Sequence, residues 1–133
     1  SFRDNYAALT ERTMRELDKF RVVYCVESFD PRCVAWVRKH RPEVIRGQLS
    51  QNFLKDRGKL SLPMAFATTN LLGNIMAQPD FVAYKFEDKK NWAPRLCRKL
   101  YGAQGVYWTI RSKEDLETAE REGAIAIFER FIP

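Results

Sequence analysis

Histidine is almost missing from this chain: among 133 residues only His40 occurs, inside Arg38-Lys39-His40-Arg41-Pro42. A pair of histidines for general acid and base work is therefore excluded, and so is a Ser/His/Asp relay with His40 at the end of a helix, on the side away from the strand ends. Cysteine is sparse and odd in number, with Cys25, Cys33 and Cys97 widely spaced and set in apolar patterns. No CxxC or Cys/His cluster offers zinc ligands, so these residues read as buried free thiols of a reducing, cytoplasmic compartment. No Gly-rich phosphate loop is present; Gly102-Ala103-Gln104-Gly105 reads as a helix-to-strand turn. No apolar run approaches the ~20 residues that span a bilayer. The start, Ser1-Phe2-Arg3-Asp4-Asn5, carries no targeting pattern, and without an initiator Met the expectation is a piece cut from something longer.

What is present is ordinary for one globular unit. The chain is long enough for a core, and 45% hydrophobic with 30% charged residues excludes a disordered or membrane-embedded class. The net charge of +6 raises nucleic-acid binding. Basic residues gather at Arg38–Arg41 and from Lys89 to Lys99, but no helix-turn-helix or aromatic RNA-binding motif accompanies them. Solvated helix faces account for the charge, and nucleic acid is not expected as a partner.

Periodicity alternates between helix and strand. Leu9, Thr13, Leu17 and Phe20 mark one helical face, and Val22–Val26 reads as a strand covered on both sides. Asp30-Pro31 is a capped helix start, and that helix stops before Pro42. Strands are expected at Glu43–Gln48, Phe81–Lys85, Gly105–Ile110 and Ala124–Phe128. Helices are expected at Pro63–Met76, at Trp92–Tyr101 with Gly102 closing it, and from Ser112 to Gly123, while Gln51–Lys59 reads as loop. The near all-round hydrophobicity of Pro63–Met76 implies burial or a partner surface. Strands separated by helices imply a single α/β unit over residues 1–133 with parallel pairing. It has about half the ~250 residues of a (β/α)8 barrel, so an open sheet and a barrel portion both remain possible.

Ligands of parallel α/β folds sit at the carboxyl ends of the strands. There the sequence offers Glu27-Ser28, Arg46 with Gln48, Lys85 with Glu87, Trp108 with Arg111, and Glu129. Arg46 and Lys85 are candidates to hold a phosphate by charge-assisted hydrogen bonds, with structural ion pairs as the alternative. Trp108 is a candidate apolar wall, with core filling as the alternative.

Two segments carry a family resemblance. Val26-Glu27-Ser28-Phe29-Asp30-Pro31 resembles the Ser-Phe-Asp strand end of glycerophosphodiester phosphodiesterases. Tyr107-Trp108-Thr109-Ile110, followed by an acidic helix, resembles their penultimate Trp-Thr-Val-Asn strand. The order and spacing match the C-terminal half of that family. Where the family ends on Thr-Asp, this chain has Phe128-Glu129-Arg130-Phe131, a departure at the closing strand.

The resemblance implies a partial TIM-type (β/α) barrel and, for the parent enzyme, hydrolysis of glycerophosphodiesters to glycerol 3-phosphate and an alcohol. It implies a divalent cation (Mg or Ca) and two histidines, all held by the half not represented here. No catalytic residue, metal ligand or cofactor is therefore expected in this chain, which alone is expected to be inactive. Trp108 and Ser28-Phe29 match the family's substrate side; Arg46 and Lys85 have no such counterpart. A cut barrel exposes two sheet edges, so self-association is expected. A non-enzymatic α/β binding module is the rival reading.

Overall fold

The computed structural model describes residues 4–55, 58 and 60–132. Ser1–Arg3, Pro133, and Asp56, Arg57 and Lys59 of the expected loop lie outside the described residues. The order of elements is α1 (Tyr6–Leu17), β1 (Cys25–Ser28), α2 (Pro31–His40), β2 (Ile45–Ser50), α3 (Leu62–Thr69), α4 (Asn74–Ala77), β3 (Phe81–Lys85), a 3-10 turn (Phe86–Asp88), α5 (Trp92–Tyr101), β4 (Gln104–Ile110), α6 (Lys113–Arg121) and β5 (Ile125–Phe128).

All five strands pair in parallel, in the order β1-β2-β3-β4-β5. A doubly wound sheet reverses direction once, leaving a crevice at the switch point. Here the order never reverses, so crossovers of one hand lay successive helices on the same face. The residues facing those helices form three clusters. Met14, Val37 and Val44 pack with Val26; Val82 and Tyr84 pack with Ala93 and Cys97; Tyr107 and Ile110 pack with Ala119 and Ala124.

The alternate residues point to the other face. The register carries Cys25, Ile45, Ala83, Val106 and Ile125 along it. Ala83 and Val106 at its centre are buried, whereas Ile45 and Ile125 toward its edges are exposed. On that face Phe81 lies across Gly47, where any Cβ would overlap its ring. An apolar inner face and two unpaired edges are the signature of an open portion of a barrel.

Local signals explain the elements. Asp30 accepts from the Arg32 N–H to start α2, and Asn91 does the same for Ala93 in α5. Ser112 accepts from the Asp115 N–H to cap α6. Gly102, with φ 65°, closes α5 in the left-handed conformation.

Four expectations need correction. The first strand begins at Cys25, not Val22; Val23 is 98% exposed, because β1 is an edge strand and the chain reaches it over the surface. The second strand is shifted two residues on, to Ile45–Ser50. The helix expected over Pro63–Met76 is two helices, broken at Asn70–Gly73, where Leu71 takes φ 56° and Gly73 allows contact with Pro31 at the start of α2. The cysteines are not all buried: Cys97 is, Cys33 is half-buried and Cys25 is exposed. No described helix is long and apolar enough to cross a membrane.

Candidate site at the carboxyl rim of the sheet

Trp108 sits near the carboxyl end of β4 on the inner face, opposite Lys85 in the parallel register. Its indole N–H donates to the Ala83 carbonyl of the neighbouring strand at 3.0 Å, which fixes the ring against the sheet. The ring edge meets Phe29, which follows β1, with centroids 6.0 Å apart and planes at 82°. Phe29 in turn meets Phe53, beyond β2, at 5.9 Å and 78°. Edge-to-face geometry is the favoured one for such rings. Three strand ends thus supply one aromatic wall.

Two polar devices hold that wall. Gln48, buried in β2, donates its amide to the carbonyls of Ser28 and Phe29 at 3.0 and 3.1 Å. That pair of bonds sets the turn presenting the Phe29 ring. Asp88, in the turn after β3, accepts from the Asn52 N–H at 2.9 Å and from the Lys55 ammonium at 2.7 Å. Burial alone would raise the Asp88 carboxyl, but Lys55 and the Asn52 N–H outweigh it and hold it below its ordinary value. The segment carrying Phe53 is thereby tied to β3.

Beside the aromatic wall runs a chain of ion pairs. Lys85 holds Glu87 at 2.9 Å; Arg111 reaches Glu87 at 3.8 Å and Glu129 at 2.8 Å; Arg130 adds a contact to Glu129 at 3.7 Å. Its hydrogen bond to Arg111 lowers the Glu129 carboxyl, and its bond to Glu87 raises the Lys85 ammonium, so both stay charged at neutral pH. These pairs are exposed and contribute little to stability. Glu27, on the inner face of β1, is the exception: burial pushes its carboxyl above the ordinary value.

The residues singled out from sequence fall into two groups. Phe29, Lys85 and Trp108 come together at the carboxyl rim. Ser28 and Arg46 do not join them. Ser28 turns its hydroxyl to the Asp30 N–H at 3.0 Å, a local turn bond. Arg46 is the second residue of β2, at the amino end, because the strand begins later than expected. Its guanidinium lies 3.5 Å from Asp80 and its backbone N–H donates to the same carboxylate at 2.9 Å. Both Ser28 and Arg46 border a cavity of about 210 Å³ on the helix side, walled by Leu9, Met14, Val34 and Val37. That cavity is on the wrong face to share a ligand with Trp108. His40 stacks on Trp36 at the end of α2, remote from the rim.

Phe53 and Asp88 also build this rim, and sequence reading assigned neither a place in it. Gln48 was expected at a strand end beside Arg46, but its amide holds the Ser28 and Phe29 carbonyls rather than facing a ligand. Phe53 is an apolar ring in a polar loop stretch, which was the available signal. Asp88 had none, since its partners are 33 and 36 residues away.

No family model matches this sequence, and no curated protein matches it. The fold is similar to that of a Silicibacter pomeroyi DSS-3 protein described as a "Putative glycerophosphoryl diester phosphodiesterase", with a TM-score of 0.61 and 21% identity. The alignment covers 92% of this chain and 40% of that one, so the chain spans well under half the length of its structural neighbour. Monotonic strand order, one-sided helices, an open inner face and this partial superposition together define the chain as an open portion of a TIM-type (β/α) barrel.

Proposed function

We propose that this chain is the substrate-side portion of a glycerophosphodiester phosphodiesterase, releasing glycerol 3-phosphate and an alcohol in the complete protein. One observation carries the reading. The two segments that resemble the family, around Phe29 and Trp108, are 79 positions apart in sequence and meet ring to ring at the carboxyl rim. That rim is where parallel barrels bind their ligands.

In this reading the Trp108, Phe29 and Phe53 rings pack against the carbon skeleton of the diester and keep water off it. Lys85, exchanging Glu87 for a phosphate oxygen, supplies a charge-assisted hydrogen bond. A divalent cation would neutralise phosphate charge when bound. The residues present do not fit one: among the described residues no three His, Cys, Asp or Glu side chains converge, and Glu87 and Glu129 are already held by cations. In this reading, metal binding and proton transfer both fall to residues outside this chain.

The same ion pairing favours the second reading, a binding module without catalysis. The unpaired edges of β1 and β5 further support association with more strands, including a second copy of the chain; light scattering that finds only monomer at high concentration removes that part. The catalytic reading is tested by incubating the natural gene product and the isolated chain with glycerophosphocholine and Mg or Ca. Glycerol 3-phosphate release by the gene product alone is the expected outcome. No release by the gene product, or equal release by the isolated chain, overturns the assignment.

A further inference from the structure

The crossover from β2 to β3 buries several polar side chains and turns most of its large apolar ones outward. Along α3, α4 and the break between them, the polar residues Thr69, Asn70 and Asn74 are buried together with Ala65, Leu71 and Ala77, Asn74 being 1% exposed. The exposed positions include Leu62, Met64, Phe66, Leu72 of the break, Ile75 and Met76, with Ile75 67% exposed. A surface helix ordinarily shows the opposite pattern. The next helix continues the surface, because the Asn74 amide reaches the Cys97 sulfur at 3.4 Å and joins α4 to α5. There Trp92, Leu96 and Leu100, four residues apart, form a second exposed apolar stripe.

Charge is partitioned with the same boundaries. Helices α2 to α5 contain six Lys or Arg and no Asp or Glu, whereas α6 alone carries four acids. The cations flank the apolar stripes. Arg95 and Lys99 are exposed on α5, and Arg38 of α2 donates to the Met76 carbonyl at 3.0 Å with Lys39 beside it. The open edges of the sheet are β1 and β5, while α3, α4 and α5 connect β2 to β3 and β3 to β4. Strands that complete a barrel add at the edges, and so do not cover this outer face.

We propose that the outer face of α3, α4 and α5 docks on an anionic lipid surface. Apolar side chains flanked by Lys and Arg, with a tryptophan among them, are what an interfacial helix presents to headgroups and acyl chains. A second copy of the chain fits less well, because a two-fold contact through an acid-free patch sets cation against cation. Nucleic acid accounts for the charge but leaves the leucine, isoleucine and methionine side chains in water. This inference does not depend on the phosphodiesterase reading.

The test is flotation of the natural gene product with phosphatidylcholine vesicles, with and without phosphatidylserine. Binding is expected with phosphatidylserine, and added salt weakens it. Ile75→Glu with Leu96→Glu, both at exposed positions, lowers partitioning by about tenfold or more, as does Arg95→Glu with Lys99→Glu, while circular dichroism and melting stay unchanged. Absence of phosphatidylserine-dependent binding, or binding indifferent to both variants, overturns the proposal. Loss of an oligomer in the first variant without any vesicle binding reassigns the face to a contact between copies. Retention on duplex DNA, abolished by the second variant in a protein that ignores vesicles, reassigns it to nucleic acid.

Discussion

At the amino end of the sheet, Asp80 takes the backbone N–H of Arg46, lies beside its guanidinium and returns its own N–H to the Arg46 carbonyl at 2.8 Å. At the carboxyl end, Lys85, Glu87, Arg111 and Glu129 are paired as well, but next to them lies an aromatic wall built from three separate chain segments. Charge alone does not distinguish the two ends. They differ in what the charge is for: Arg46 is largely enclosed and locks a loop to a strand, while Lys85 and Arg111 remain accessible beside an apolar floor. A functional rim is recognised by convergence of unlike groups with access, and an enclosed pair by its lack of anywhere for a ligand to lie.

That contrast is sharpest in the response to truncation at each end. Replacing Trp108 with Ala in the active protein removes the centre of the wall, and kcat/KM for a glycerophosphodiester is expected to fall about 100-fold, or ~2.7 kcal/mol. The melting temperature moves little by comparison, because Trp108 is only half-buried and touches the inner, open face. An unchanged kcat/KM removes Trp108 from the site. At the opposite end, Asp80→Ala leaves Arg46, whose side chain is 12% exposed and whose Nε already has no partner, without its counter-ion and with only the Pro42 and Val44 carbonyls to bond. A loss of about 1–3 kcal/mol in unfolding free energy is expected, with kcat intact. Urea titration and a turnover assay on the same variant separate the two effects; a drop in kcat without loss of stability would reverse the roles of the two ends.

Much of the fold was legible because its signals are local. Periodicity found every strand, and Asp30-Pro31, Gly102 and Ser112 marked helix boundaries that the structure repeats, Asp30 and Ser112 accepting from backbone N–H groups and Gly102 taking φ 65°. The failures share a cause. Val22 and Val23 read as buried strand, yet whether an apolar run is covered depends on neighbours that sequence does not name. The break at Asn70–Gly73 depends on Gly73 meeting Pro31, a contact across 42 positions. The site divides the same way. Trp108 and Phe29 were visible through resemblance, while Arg46 was misplaced because a two-residue shift in a strand start moves a side chain from one end of the sheet to the other. Gln48 was named at a strand end, but its role comes only from partners brought up by folding, and Asp88, whose partners are more distant still, is announced by no pattern along the chain.

The smallest expected effect belongs to neither end, and serves as the control for both. On the helix side Tyr107 donates its hydroxyl to Glu122 at 2.7 Å, and Lys89 reaches the other oxygen at 3.0 Å. Burial and that bond push the Tyr107 hydroxyl up to about 12. Burial alone would raise the Glu122 carboxyl, but Tyr107 and Lys89 outweigh it and hold it below its ordinary value of 4.5. A lowered carboxyl stabilises the fold above its unfolded pKa, and that contribution is lost as pH falls through the folded value. A raised phenol contributes below its unfolded pKa of 10.0 and is lost as pH climbs toward about 12. Tyr107→Phe removes the shared bond, so it should cost about 1 kcal/mol near neutrality, discounted from the usual charged hydrogen bond because Glu122 is a third exposed. The difference between variant and parent should shrink toward zero in acid, where Glu122 is protonated in both, and again in strong alkali. Urea midpoints measured across that range check it. A difference that stays constant with pH would mean the hydroxyl acts by packing alone, and turnover that follows the same pH course would mean that Glu122 communicates with the rim.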